Sequence, residues 1–318
     1  MPHTDPRQAA EFVLQHLPEL PAVPTLPRRS PHEGMLAQSF VGVRGVSVDD
    51  DGELVIDPRR LDPMAQIVPD LGHPAFAGLQ AFLDAAQGRT GPVKWQLTGP
   101  VTLGLALTRQ GLSPNRAFDV GIRASRVLLR AVHREITKRL PGCDQVVFLD
   151  EPGMSALLRP GFPIPPDAAI DLVSGSLAAV EATTMAGIHC CGDGDWAAVL
   201  ATGPAVLSMP VSSDLSKVAG YLARFLEADG WIAWGAVPTD RPVASNADRY
   251  WRELSAVWCE LVQGGCDAGR LRRQSMVTPA CGLAMHSPEQ AGKVLALTRA
   301  VAERVAGQAV ATQLSLGA

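Results

Sequence analysis

The sequence predicts an α/β protein whose parallel sheet closes into a (β/α)8 TIM barrel, on three observations. From Pro92 onward, short apolar runs alternate with long helical stretches, the pattern of a parallel sheet with helices packed outside it. Asp150, His189 and Cys281 each stand at or just past the C-terminal end of a different apolar run. Barrels of this kind deliver functional groups from several strands to that one face. No G-x-G-x-x-G follows a strand, so the main signature of a doubly wound nucleotide-binding sheet is missing.

The elements follow in order. Asp5-Pro6 marks a first helix start, with a capping side chain directly before a first-turn proline, and Ser113-Pro114 and Ser287-Pro288 repeat the signal. The proline-dense LPELPAVPTLPRRSP, 17–31, reads as an irregular connection over the surface. FVGVRGVSV and ELVID flank Asp49-Asp50-Asp51-Gly52, the turn chemistry of a β-hairpin. The barrel strands are read at 93–99, 145–152, 187–191, 205–211, 231–237 and 275–282. Helices are read between them at 115–140, 167–186, 215–228 and 246–263. Only six such strands are legible beside the hairpin, so an eight-stranded barrel needs more upstream; the expectation is a first strand missing or truncated at Met1.

The 318 residues are 47% hydrophobic, enough for one large core, and a single barrel domain over 1–318 is expected. A formal net charge of −4 leaves no basic surplus to neutralise phosphates, which argues against a nucleic-acid partner. No apolar segment reaches the ~20 residues that span a bilayer, and MPHTDPRQAAEF lacks the form of a signal peptide. The expectation is a cytoplasmic protein with no membrane partner. Its six cysteines are then reduced, leaving metal binding, catalysis or burial as their roles.

Two of those cysteines are adjacent, in GIHCCGDGDW. Side chains alternate along a strand, so His189 and Cys191 point one way and Cys190 the other, toward the helices. An imidazole and a thiolate with one focus suit zinc, and Cys281 in TPACGLA is a third soft ligand at another strand end. Buried cysteines and a satisfied core histidine are the plain alternative. Three protein ligands and one open position describe a catalytic zinc rather than a structural one. Such a centre is well suited to holding a substrate thiol as thiolate. Asp150 in FLDEPG is placed to hold an ammonium group, or to act as an ordinary loop or capping aspartate.

Taken in order, KWQLTGPVTL, FLDEPG, IHCCGD and TPACGLA resemble the C-terminal catalytic barrel of cobalamin-independent methionine synthase, from about Lys94 to Glu289. Uroporphyrinogen decarboxylase-like barrels share that architecture. The resemblance implies zinc on His189, Cys191 and Cys281, activating the thiol of homocysteine, with Asp150 on the substrate's amino group. The sequence also departs from the family. The usual glutamate ligand on the following strand is missing from AVLSMPVSSDL, where Met209 stands near its place and Asp214 is the nearest carboxylate. The tryptophan that stacks on folate is replaced by the Gly104, Leu105, Ala106 neighbourhood, and the proton-donating histidine by that of Asp240. No counterpart of the family's N-terminal barrel is expected, and MPHTDP resembles the tail of the family's first strand, with Met1 in a phenylalanine position.

The expected function is a zinc-dependent methyltransferase acting on a thiol, homocysteine to methionine. Its donor is expected to be something other than polyglutamyl folate: a methylcorrinoid, free or on a partner protein. A decarboxylase of the uroporphyrinogen type is disfavoured, because arginines fall on helices rather than strand ends. The remaining alternative is a non-catalytic zinc-binding or partner-binding paralogue.

Overall fold

The computed structural model describes residues 1–316 except Pro63, Asp193 and Ser212, with side chains described for all of these but 213, 214 and 311–316. The chain opens with α1 (Pro6–His16), whose first turn is capped by the Asp5 carboxylate accepting from the Arg7 and Gln8 amides. α2 (Met35–Ser39) and the antiparallel hairpin β1 (Val46–Val48) and β2 (Leu54–Ile56) follow, and α3 (Ala77–Ala85) leads into the sheet. Thereafter strand and helix alternate: β3 (Val93–Thr98), α4 (Pro100–Arg109), α5 (Pro114–Arg139), β4 (Gln145–Asp150), α6 (Pro166–Leu177), β5 (Met185–His189), α7 (Trp196–Ala201) and β6 (Val206–Pro210). The alternation continues with α8 (Ala219–Glu227), β7 (Trp231–Val237), α9 (Asp248–Gln263), α10 (Ala268–Arg273), β8 (Ser275–Pro279) and α11 (Pro288–Leu316). Among the described residues no helix is long and apolar enough to cross a membrane.

The order β3-β4-β5-β6-β7-β8 never reverses, and every pairing is parallel. Crossovers of one hand put their helices on one side of such a sheet, so its other side becomes the concave inside of a barrel. The side chains divide accordingly. Trp95, Leu97, Val147, Leu149, Ile188, Leu207, Met209, Ile232 and Trp234 join the large core against the helices. Val146, Phe148, Val206 and Ala233 form a small separate cluster on the other face. Gly187 makes that cluster possible: a Cβ there would stand 2.6 Å from the Val206 carbonyl oxygen and 3.0 Å from the Phe148 ring.

The eight-stranded barrel expected from the sequence is present as a six-stranded curled parallel sheet, an incomplete TIM-like barrel. A seventh parallel segment adds to β3 through one bridge. The Lys94 amide donates to Pro21 O at 2.9 Å, and the Val23 amide donates to Lys94 O at 2.8 Å. Pro21 and Pro24 have no N–H to offer, which limits the segment to this bridge. The reading of residues 17–31 as a surface connection is therefore corrected, since Val23 and Leu26 are buried. Between this segment and β8 the sheet is not continuous, and the two sides meet through helices and side chains. Gly292 of α11 lies against Phe12 and His16 of α1, Arg299 pairs with Glu19 at 3.1 Å, and Arg28 donates to His286 O at 3.0 Å. Two smaller expectations are also corrected. Ser113 makes no side-chain cap, and the helix read at 167–186 ends at Leu177, its last residues turning and then entering β5.

Candidate metal centre

Register brings the polar strand ends together. Asp150 pairs with His189 across β4 and β5, and His189 pairs with Ser208 across β5 and β6, so the three share one row on the concave face. Ladder bonds continue just past the strands. The Glu151 amide donates to His189 O at 2.8 Å and the Cys190 amide to Ser208 O at 3.1 Å. Cys190 is fully buried against the helices, opposite to its neighbours, as strand alternation predicts. Cys191 and Cys281 are both exposed, each on the loop that follows its strand. The Ala280 amide donates to Val237 O at 2.8 Å and anchors the second loop.

The ligand atoms of His189, Cys191 and Cys281 all lie within 4.8 Å of one another, the one such group among the described residues. Around a tetrahedral zinc, sulfur and nitrogen ligands would stand about 3.5–3.8 Å apart. The three side chains fit such an ion after a small inward adjustment. Two thiols and an imidazole are a soft donor set of the zinc class. His189 Nδ1 is hydrogen-bonded to Ser208 Oγ at 2.9 Å, which leaves Nε2 to face the sulfurs. Without an ion, the two cysteines divide one proton unequally. The Cys191 thiol and the His189 ring donate to the Cys281 sulfur and hold that thiol down at about 4, while Cys191, the donor of the pair, is pushed up.

Asp150 is half-buried at the inner end of the row, and burial raises its carboxyl, partly offset by Lys94 and His189. Lys94 donates to Gln96 from within the concave face, with its ammonium 5.4 Å from the Phe148 ring centroid. Burial lowers the Lys94 ammonium, against the pull of Asp150.

Three residues here escaped the sequence reading: Lys94, Glu151 and Ser208. Glu151 turns away from Asp150 and caps α4, accepting from the Val101 amide at 2.9 Å, the Thr102 amide at 2.8 Å and the Thr102 hydroxyl at 2.6 Å. Gly99 gives it access, because a Cβ there would stand 2.2 Å from the carboxylate oxygen. Burial nevertheless pushes the Glu151 carboxyl up to about 7. The Thr-Gly-Pro start of α4 carried a signal for this contact, since a helix N-terminus attracts a carboxylate. No sequence signal pointed to Ser208. Met209, expected near a ligand place, is corrected: it is fully buried on the helix side, and Ser208 is the residue of β6 beside His189. The Asp214 side chain lies outside the described residues. Asp240 is exposed in the loop after β7.

No family profile and no curated protein matches the chain. Among solved structures, the fold is similar to a Listeria monocytogenes protein provisionally assigned as a vitamin-B12-independent methionine synthase, with a TM-score of 0.64 at 15% identity. The match covers 95% of this chain and 86% of that one. At this identity the likeness is one of fold.

Proposed function

We propose that this chain is a zinc-dependent methyltransferase, a single barrel that passes a methyl group to a thiol, homocysteine giving methionine. One observation carries the reading: His189, Cys191 and Cys281, from the ends of two strands far apart in sequence, bring their ligand atoms within 4.8 Å of one another. The name given to the Listeria protein of similar fold supports the same chemistry. When bound, zinc supplies the acidity that makes a substrate thiol a thiolate at neutral pH.

The chain's own residues do the rest. His189, Cys191 and Cys281 hold the ion, and Ser208 orients the imidazole. Asp150, one strand over, takes the substrate's ammonium group in a charge-assisted hydrogen bond. Glu151 holds the turn after Asp150 against α4, so the carboxylate does not drift. The exposed sides of Cys191 and Cys281 leave the centre open to the mouth, where the thiol proton passes to solvent. The substrate sulfur then attacks an electrophilic methyl group in line. A sulfur–carbon bond forms as the donor–carbon bond breaks, and the donor keeps that electron pair. Gly104, Leu105 and Ala106 on α4 offer no aromatic face for a folate ring, and the donor we propose instead is a methylcorrinoid.

Zinc analysis of the purified protein tests the reading, followed by zinc-edge X-ray absorption with and without homocysteine. The expected result is about one zinc per chain that gains a sulfur neighbour when the thiol is added. A protein without zinc, or a centre indifferent to the thiol, overturns it.

A further inference from the structure

Ser208 stands at the position of β6 paired with His189, 6% exposed, with its hydroxyl oxygen 2.9 Å from Nδ1. The other ring nitrogen faces the cysteines, the ligand atoms of His189, Cys191 and Cys281 lying within 4.8 Å of one another. A neutral imidazole has one N–H and one lone pair. When Nε2 carries that proton toward the cysteine sulfurs, Nδ1 is the acceptor and the Ser208 hydroxyl donates. A metal ion at the same centre needs the Nε2 lone pair, so the ring proton must then be on Nδ1 and the hydroxyl must accept. The two states ask opposite things of the group beside Nδ1. A carboxylate serves only the second, and an apolar side chain neither. A hydroxyl serves both by turning about its C–O bond.

We infer that Ser208 is a positioning residue that lets His189 exchange tautomers as the centre loads, while the ring stays in one orientation. The inference rests on the metal-centre reading above. It also gives a reason for a serine rather than a carboxylate at this place. Ser208 keeps the ring aimed before the ion arrives and adds no negative charge, so the ion is neutralised by the two thiolates alone.

Cobalt(II) titration of the full chain tests this, following the thiolate-to-cobalt absorption band in wild type, Ser208→Ala and Ser208→Thr. The expected result is affinity about 10–100-fold weaker for Ser208→Ala, with Ser208→Thr close to wild type because its hydroxyl is retained. In the zinc-loaded proteins, nitrogen-15 spectra of labelled histidine should show a slowly exchanging Nδ1–H in wild type and Ser208→Thr that is lost in Ser208→Ala. Equal cobalt affinity and the same histidine spectrum in Ser208→Ala would overturn the role of Ser208 and leave the centre standing. Loss of affinity in a folded Ser208→Thr would overturn it as well, independently of how the alanine variant folds. A wild type that takes up no cobalt would remove the centre and the inference together.

Discussion

On the helix side of the strands, Trp95, Val147, Ile188, Leu207 and Trp234 are at most 1% exposed, whereas on the concave side Lys94, Gln96, Asp150, His189 and Thr278 are only half-buried. On β3, β4 and β5 the two kinds of side chain alternate along one and the same strand. The helix side excludes water from large apolar side chains and supplies most of the stabilisation, at roughly 25 cal/mol per Å² buried. The concave side holds a four-residue apolar cluster and a row of polar groups near the strand ends. The difference teaches where this sheet tolerates chemistry: polar groups occupy the face whose burial the fold needs least.

That contrast can be broken from either side. The largest effect is expected from Cys281→Ser, which should lose the metal completely in zinc analysis. The same exposed substitution should move metal-free stability by less than about 1 kcal/mol in chemical denaturation. Full zinc retention would end the proposed centre. Trp234→Ala, on the other face, should cost about 3–5 kcal/mol of stability and keep its zinc stoichiometry. A stability loss below about 1 kcal/mol would show that the two faces are not so unequal.

Glu151 gives a pH test between these extremes. Its carboxyl is raised from the ordinary 4.5 to about 7 in the folded chain. The fold therefore favours the protonated form, and its contribution is full below about pH 4.5 and lost as pH rises through about 7. The change is worth up to about 3 kcal/mol. Denaturation curves between pH 5 and 8 should be flatter for Glu151→Gln than for wild type, and parallel curves would refute the assignment. The smallest effect is expected from Asp150→Asn. It should weaken binding of the amino-acid thiol about tenfold, the worth of one hydrogen bond to a charged group, and leave zinc content unchanged. Calorimetric titration with homocysteine would show this, and undiminished affinity would place the ammonium group elsewhere.

Much of the sheet was legible because a strand's period is local. The six runs of alternating or continuous apolar residues became β3 to β8, and the two-residue period set Cys190 apart from His189. Reading failed where a residue's role depended on a partner strand. Residues 21–23 carry too many prolines to read as a strand, yet one bridge to Lys94 places them on the sheet edge. Met209 stands near the family's ligand place in sequence, but alternation from Ser208 turns it to the helix side. The role of Glu151 is not legible beside Asp150, because its partner is the start of a helix some fifty residues earlier.

By itself, then, the sequence determined the order of strands and helices, the direction of each side chain about its own strand, and the three soft donors at strand ends. Those properties follow from backbone geometry within a few residues. Only the tertiary structure decided that Asp150, His189 and Ser208 form one row, that Cys281 arrives beside Cys191, and that the open side of the sheet is spanned by α1, α11 and Arg28. These depend on hydrogen-bond register between strands and on packing across the curled sheet, which no local pattern encodes.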